Sequence, residues 1–118
     1  DFKMDKVENY RRIIQNLLES LGQAKVLGAD KAEEFETQVI CDTKNDHYQL
    51  LHLGWQNQKR TFGVSIHIDI KKEKIWIQQN STDIDIAREL VEKGVQKEDI
   101  VLGLQAPSMR KYTEFAEA

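Results

Sequence analysis

His52, His67 and Asp69 are the residues whose types and spacing could do chemistry. Residues two apart on an extended strand project from the same face, so His67 and Asp69 must lie side by side if this stretch is a strand. A neighbouring strand can bring His52 up to them. Imidazole plus carboxylate is a legitimate set for zinc, which in a catalytic site takes three protein ligands and keeps a fourth position for water. The same trio could serve a small metal-dependent hydrolase or nuclease subunit. Each residue also has a plain reading: a half-exposed histidine hydrogen-bonded to its surroundings, and an aspartate satisfying the backbone donors of a nearby turn.

Other nucleophiles and cradles find less support. Cys41 would need a histidine and an orienting group to converge on it, and its place in an apolar alternation marks it as a small core residue. Ser65 lacks the G-x-S-x-G surroundings of a nucleophile elbow. The six glycines, at 22, 28, 54, 63, 94 and 103, are too scattered for a phosphate-binding loop. Glu98 and Asp99 are adjacent and diverge, so helix-start electrostatics accounts for them. The chain is therefore expected not to be an enzyme and to need no cofactor.

The elements that must position these residues follow from periodicity. From Asp5 to Leu21, Val7, Tyr10, Ile14, Leu17, Leu18 and Leu21 recur at spacings of three and four, which predicts an amphipathic helix capped by Asp5 and ended by a left-handed Gly22. Gln23 to Glu34 has no sustained period and reads as a surface connection. Strands follow at 35–41 and 47–55, the second with apolar residues of both parities and hence both faces covered. Between Thr61 and Ile70, Phe62, Val64, Ile66, Ile68 and Ile70 share one parity and predict one buried face; Thr61, Gly63, Ser65, His67 and Asp69 take the other. A fourth strand spans 74–79. Short polar connections between these strands imply an antiparallel meander, because parallel strands need crossovers of a dozen or more residues.

A second helix is expected over Thr82–Lys93, capped by Ser81 or Thr82 and stopped by Gly94. Ile100 to Leu102 fits either a short strand or a buried turn. Pro107 opens a short terminal helix through Met109, Tyr112 and Phe115. The predicted fold is thus α+β: an antiparallel sheet of about four strands packed against an N-terminal helix and a C-terminal helical segment, as one domain over residues 1–118.

Composition narrows the class. With 40% hydrophobic and 31% charged residues, the chain is that of a folded globular domain, and no apolar run approaches the roughly 18 residues of a membrane span. A start unlike a secretory signal and a lone cysteine suggest the cytoplasm. The net charge of −3 divides as −1, +1 and −3 over residues 1–34, 35–80 and 81–118, so no third is basic and direct DNA binding is expected to be weak or absent. Trp55 with Lys59 and Arg60, and Trp76 with Arg110, Lys111 and Tyr112, are the candidate interaction residues. Trp76 points away from Ile75 and Ile77, and an aromatic patch on an open face would mark a partner or a second copy.

Sequence blocks then point to a family. Tyr48-Gln49-Leu50-Leu51 with Gly54-Trp55, and His67-Ile68-Asp69-Ile70 with Lys74-Ile75-Trp76-Ile77-Gln78-Gln79, resemble the XisI-like proteins, the fdxN element excision controlling factors of cyanobacteria. Ile86-Ala87, Glu89-Leu90-Val91, Gly94-Val95, Lys97 to Gly103, Pro107, Arg110 to Thr113 and Phe115-Ala116 are similar to that family's closing signature. The departures are Leu104, Ala106, Cys41 and the connection from Gln23 to Glu34. The resemblance implies a regulatory accessory role in site-specific DNA rearrangement during heterocyst differentiation, beside a recombinase and an XisH-like companion protein. It carries no catalytic residue over to this chain, and it leaves a homo-oligomer open.

Overall fold

The computed structural model describes residues 2–23 and 34–118. The connection read between Gln23 and Glu34 lies, apart from its ends, outside them. Helix α1 (Phe2–Gln23) is followed by strands β1 (Glu34–Asp42), β2 (His47–Gln56), β3 (Lys59–Lys71) and β4 (Lys74–Asn80), helix α2 (Ile86–Glu92), strand β5 (Ile100–Leu102) and a 3-10 turn at Pro107–Tyr112. The strands form one sheet in the order β1-β2-β3-β4-β5. The first four are the expected antiparallel meander. The stretch at Ile100–Leu102 is a fifth strand, parallel to β4 and reached through α2, which supplies the crossover a parallel pair requires.

Several local expectations are corrected. α1 begins ahead of Asp5, which therefore lies inside the helix and does not cap it. Gly22 is not left-handed; it lets the helix end approach β1, where a Cβ would meet Thr37 Oγ1 at 3.3 Å and where the Thr37 hydroxyl donates to the Gly22 carbonyl at 3.0 Å. α2 is shorter than 82–93 because Asn80 binds the Thr82 N–H and hydroxyl and donates to the Ile84 carbonyl, building a turn. Asp85 then caps the helix by accepting from the Arg88 N–H. Gly94, at φ +106°, ends it as expected. The terminal helix is a 3-10 turn that stops at Tyr112, with Met109 and Tyr112 exposed.

β2 and β3 join through a two-residue turn, Asn57-Gln58, and β3 and β4 through Lys72-Glu73. All four residues have positive φ, the backbone that matches the right-handed twist of a hairpin. The β2–β3 ladder is not regular along its length. Leu50 pairs with Ile66 while Leu51 pairs with Val64, so Ser65 is an extra residue with no partner of its own.

That bulge reverses the parity of β3. Ile66, Ile68 and Ile70 lie with Tyr48 and Leu50 on the helix-covered face, whereas Val64 and Phe62 pair with Leu51 and Leu53 on the opposite one. The expected five-residue apolar face is therefore split, three inside and two outside.

The core is built on the covered face alone. Tyr10, Ile14, Leu17, Leu18 and Leu21 of α1 and Ile86, Ala87 and Leu90 of α2 pack on Tyr48, Leu50, Ile66, Ile68, Ile75, Ile77 and Ile100. Two polar ties fix α1 to this face. The Tyr10 hydroxyl donates to Asp99 Oδ2 at 2.6 Å, with the Lys6 ammonium 3.0 Å from the same oxygen. Arg11 forks onto both oxygens of Asp46 at 2.8 and 3.1 Å, and the Tyr48 hydroxyl donates to Asp46 at 2.7 Å. Among the described residues no buried side-chain polar atom lacks a partner. No described helix is long and apolar enough to cross a membrane.

Candidate functional site

The face of the sheet opposite α1 and α2 carries no helix among the described residues. Cross-strand neighbours define it: His47 beside Asp69, Gln49 beside His67, Leu51 beside Val64, Leu53 beside Phe62 and Trp55 beside Arg60. From Ile40 to the Asn57-Gln58 hairpin it is apolar, and nothing among the described residues covers it. Phe62 is 66% exposed and Trp55 42% at the hairpin end, Ile40 beside Gln49 is 49% exposed, and Leu51, Leu53 and Val64 are half-buried. Contrary to the expectation that both faces are covered at the end of β2, none of the described residues covers this one, because α1 and α2 both pack on the other face.

The residues singled out for interaction fall into two groups. Lys59 and Arg60 are exposed at the hairpin end, and the Arg60 guanidinium lies 5.4 Å from the centre of the Trp55 ring. At the other side Trp76 does point away from Ile75 and Ile77, and its cover is the chain itself. Lys71 Nζ sits 4.2 Å and the Arg110 guanidinium 5.2 Å from the Trp76 ring centre, cation–π contacts that shield an otherwise open indole. Arg110 is held there by the Gly103 and Gln105 carbonyls. Lys111 and Tyr112 are exposed, with Lys111 Nζ 5.3 Å from the Tyr112 ring.

His52 does not join His67 and Asp69. It pairs with Gly63 beyond the Ser65 bulge and lies on the helix side, stacked on Phe35 at 6.4 Å between ring centres and hydrogen-bonded through Nδ1 to the Ser65 hydroxyl at 2.7 Å. Gly63 gives the imidazole room, since a Cβ there would stand 3.2 Å from His52 Cε1. The trio is thus divided by the sheet, and the hydrolase or nuclease reading built on it loses its geometry. Cys41 is exposed on the helix side, and partial burial, with the Glu19 carboxylate nearby, raises its thiol above the ordinary value. It is neither the core residue expected nor a thiolate poised to attack.

The residue that does meet His67 and Asp69 is His47. Its Nδ1 is 2.7 Å from Asp69 Oδ1, and His67 Nε2 is 2.7 Å from the same oxygen. Burial pushes the Asp69 carboxyl up, but the hydrogen bonds from His47, His67 and Gln78 outweigh it and leave it below the ordinary carboxylate range. The bond to Asp69 raises the His47 imidazole. Gln49 Nε2 contacts His67 Nδ1 at 2.8 Å, and Gln78 Nε2 donates to Asp69 Oδ2 at 3.2 Å. Gln78 is the extra residue of a second bulge, and a side chain at Gly103 would collide with its amide.

Sequence reasoning missed His47 because register decides it. A regular ladder continued from the Asn57-Gln58 turn would set Ile68 opposite His47; the extra Ser65 moves the register by one and brings up Asp69.

An α+β domain with its helices on one face of an open, mostly antiparallel sheet, and an apolar, histidine-bearing face left bare, is the class that these observations define. The chain belongs to the XisI family: the family model described as XisI protein matches residues 4–117. Two solved structures are similar to it. One is a XisI-like protein from Anabaena variabilis ATCC 29413, 44% identical over 95% of this chain and 99% of that one, with a TM-score of 0.85. The other is the fdxN element excision controlling factor XisI from the same organism, 33% identical over 96% and 99%, with a TM-score of 0.77. No curated protein matches the chain.

Proposed function

We propose that the chain is a non-enzymatic regulatory factor of the excision controlling kind, acting in site-specific DNA rearrangement by gripping an XisH-like companion protein with the bare face of its sheet. The observation that carries this reading is the apolar row of Ile40, Leu51, Leu53, Trp55, Phe62 and Val64, which none of the described residues covers. Water is a poor partner for such a row, and contiguous exposed apolar surface of this kind marks interaction sites. Lys59 and Arg60 stand at its rim, where cations steer an acidic partner without adding much affinity. The net charge of −3 supports a protein partner over a DNA backbone, which needs several phosphates neutralised. That the chain belongs to the XisI family supports an XisH-like protein as the companion.

Co-expression with the XisH-like neighbour, followed by purification on a tag carried by one chain, tests the reading. A stoichiometric complex is expected. Phe62→Glu should weaken it at least tenfold, since a buried charge at an interface centre costs more than about 1.4 kcal/mol. No complex, together with tight salt-sensitive DNA binding by the isolated domain, would overturn it.

A further inference from the structure

We propose that His47, His67 and Asp69 form a site for a zinc-class divalent metal on the bare face of the sheet. Each offers one ligand atom, and the three lie within 4.8 Å of one another; His47 Nδ1 and His67 Nε2 are the nitrogens that meet Asp69 Oδ1. In a tetrahedral zinc site with bonds of about 2 Å, neighbouring donors stand about 3.3 Å apart. Both imidazole nitrogens are at 2.7 Å from the carboxylate oxygen, so the two N···O pairs would open by about 0.6 Å around an ion, and the two nitrogens, no more than 4.8 Å apart, would settle to a similar spacing. Two nitrogens and one oxygen suit a borderline ion such as zinc better than the hard oxygen-seeking magnesium or calcium.

The site is built on strands, not on loops. His47 and Asp69 are direct cross-strand partners, and His67 is two residues from Asp69 on the same face. The free oxygen of Asp69 is held by Gln78 and the free nitrogen of His67 by Gln49, the outer contacts that orient metal ligands. Proton placement is consistent. To ligate, His67 carries its hydrogen on Nδ1 and His47 on Nε2; a half-turn of the Gln49 amide then offers an oxygen to His67 Nδ1. Neither step requires a net proton to be lost from a neutral imidazole. The His47 side chain is 53% exposed, so the ion has an entry path and a fourth position open to water.

This inference stands apart from the companion-binding reading, and it can be tested on the isolated chain. The chain has only three histidines, which makes His52, on the other side of the sheet, an internal control. Tag-free protein stripped with EDTA would be titrated with zinc chloride by calorimetry, and with cobalt chloride by visible absorption. One zinc per chain at about 1 μM or tighter is expected, about −8 kcal/mol. The cobalt form should show the intense bands of a four-coordinate ion.

His47→Gln should weaken binding at least a hundredfold, and so should Asp69→Asn, while His52→Gln leaves it unchanged. His47 is exposed enough that its variant keeps the fold, which circular dichroism would verify. Absence of one-to-one binding in the parent chain, equal binding in the His47→Gln variant, or equal losses in the His47→Gln and His52→Gln variants would each overturn the proposal.

Discussion

The two faces of the sheet are made from alternating residues of the same strands, yet only one is sealed. Under α1 and α2, Tyr48, Leu50, Ile66 and Ile68 are wholly buried, and the polar groups that reach this side are tied off by Arg11, Asp46, Tyr10 and Asp99. On the other side Phe62 and Trp55 stand in solvent, and His47, His67 and Asp69 bond to one another. One residue, Ser65, separates the two regimes along β3. The difference teaches that hydrophobic alternation shows which residues are apolar, while the hydrogen-bond register shows which of them face a partner element.

The comparison breaks most decisively on Ile66 and Phe62. Ile66→Ala should cost about 2–5 kcal/mol in urea denaturation, because it removes fully buried methyl groups and leaves a cavity beneath α1. Were the alternation of β3 unbroken, Phe62→Ala would cost as much.

A smaller effect probes how α1 is held on the sealed face. Burial first, and then the hydrogen bond to Asp99, push the Tyr10 phenol up to about 12 from an ordinary value of 10. A group whose folded value is raised gives stability that is complete below the unfolded value and is lost as pH rises towards the folded one. Stability should therefore fall by about 2 kcal/mol on Tyr10's account between pH 10 and pH 12. Denaturation of the parent and the Tyr10→Phe variant across that window measures it: the variant should show the shallower decline, and parallel profiles would contradict the assignment.

The smallest expected effect is Phe62→Ala itself, within about 0.5 kcal/mol of the parent by the same denaturation assay. A loss comparable to that of Ile66→Ala would mean that the face is covered after all.

Much of this architecture is legible in the residues. α1, the four-strand meander, the helix stop at Gly94 and the outward Trp76 all follow from period and turn chemistry, because each depends on residues close in sequence. What escapes depends on pairing. The Ser65 bulge leaves no trace, since a serine suits the polar parity of an unbroken alternation, and with it go the sidedness of Phe62 and Val64 and the neighbour of Asp69. The parallel β5 is three residues long and is defined by β4, not by a pattern of its own. α2 loses its first turn to the Asn80 side chain, a competition between side-chain and backbone hydrogen bonds that periodicity does not register.

The two tryptophans on the bare face give the molecule a built-in pair of optical probes. Trp76 lies under Lys71 and Arg110, whereas Trp55 is the more open ring near the hairpin end. A positively charged quencher such as caesium meets two cations at Trp76 and one, Arg60, at the more exposed Trp55, so it should reach Trp55 more freely. A binder seated on the apolar row would shield Trp55 and leave Trp76 as it was, so the change in quenching would report where on the sheet the binder sits.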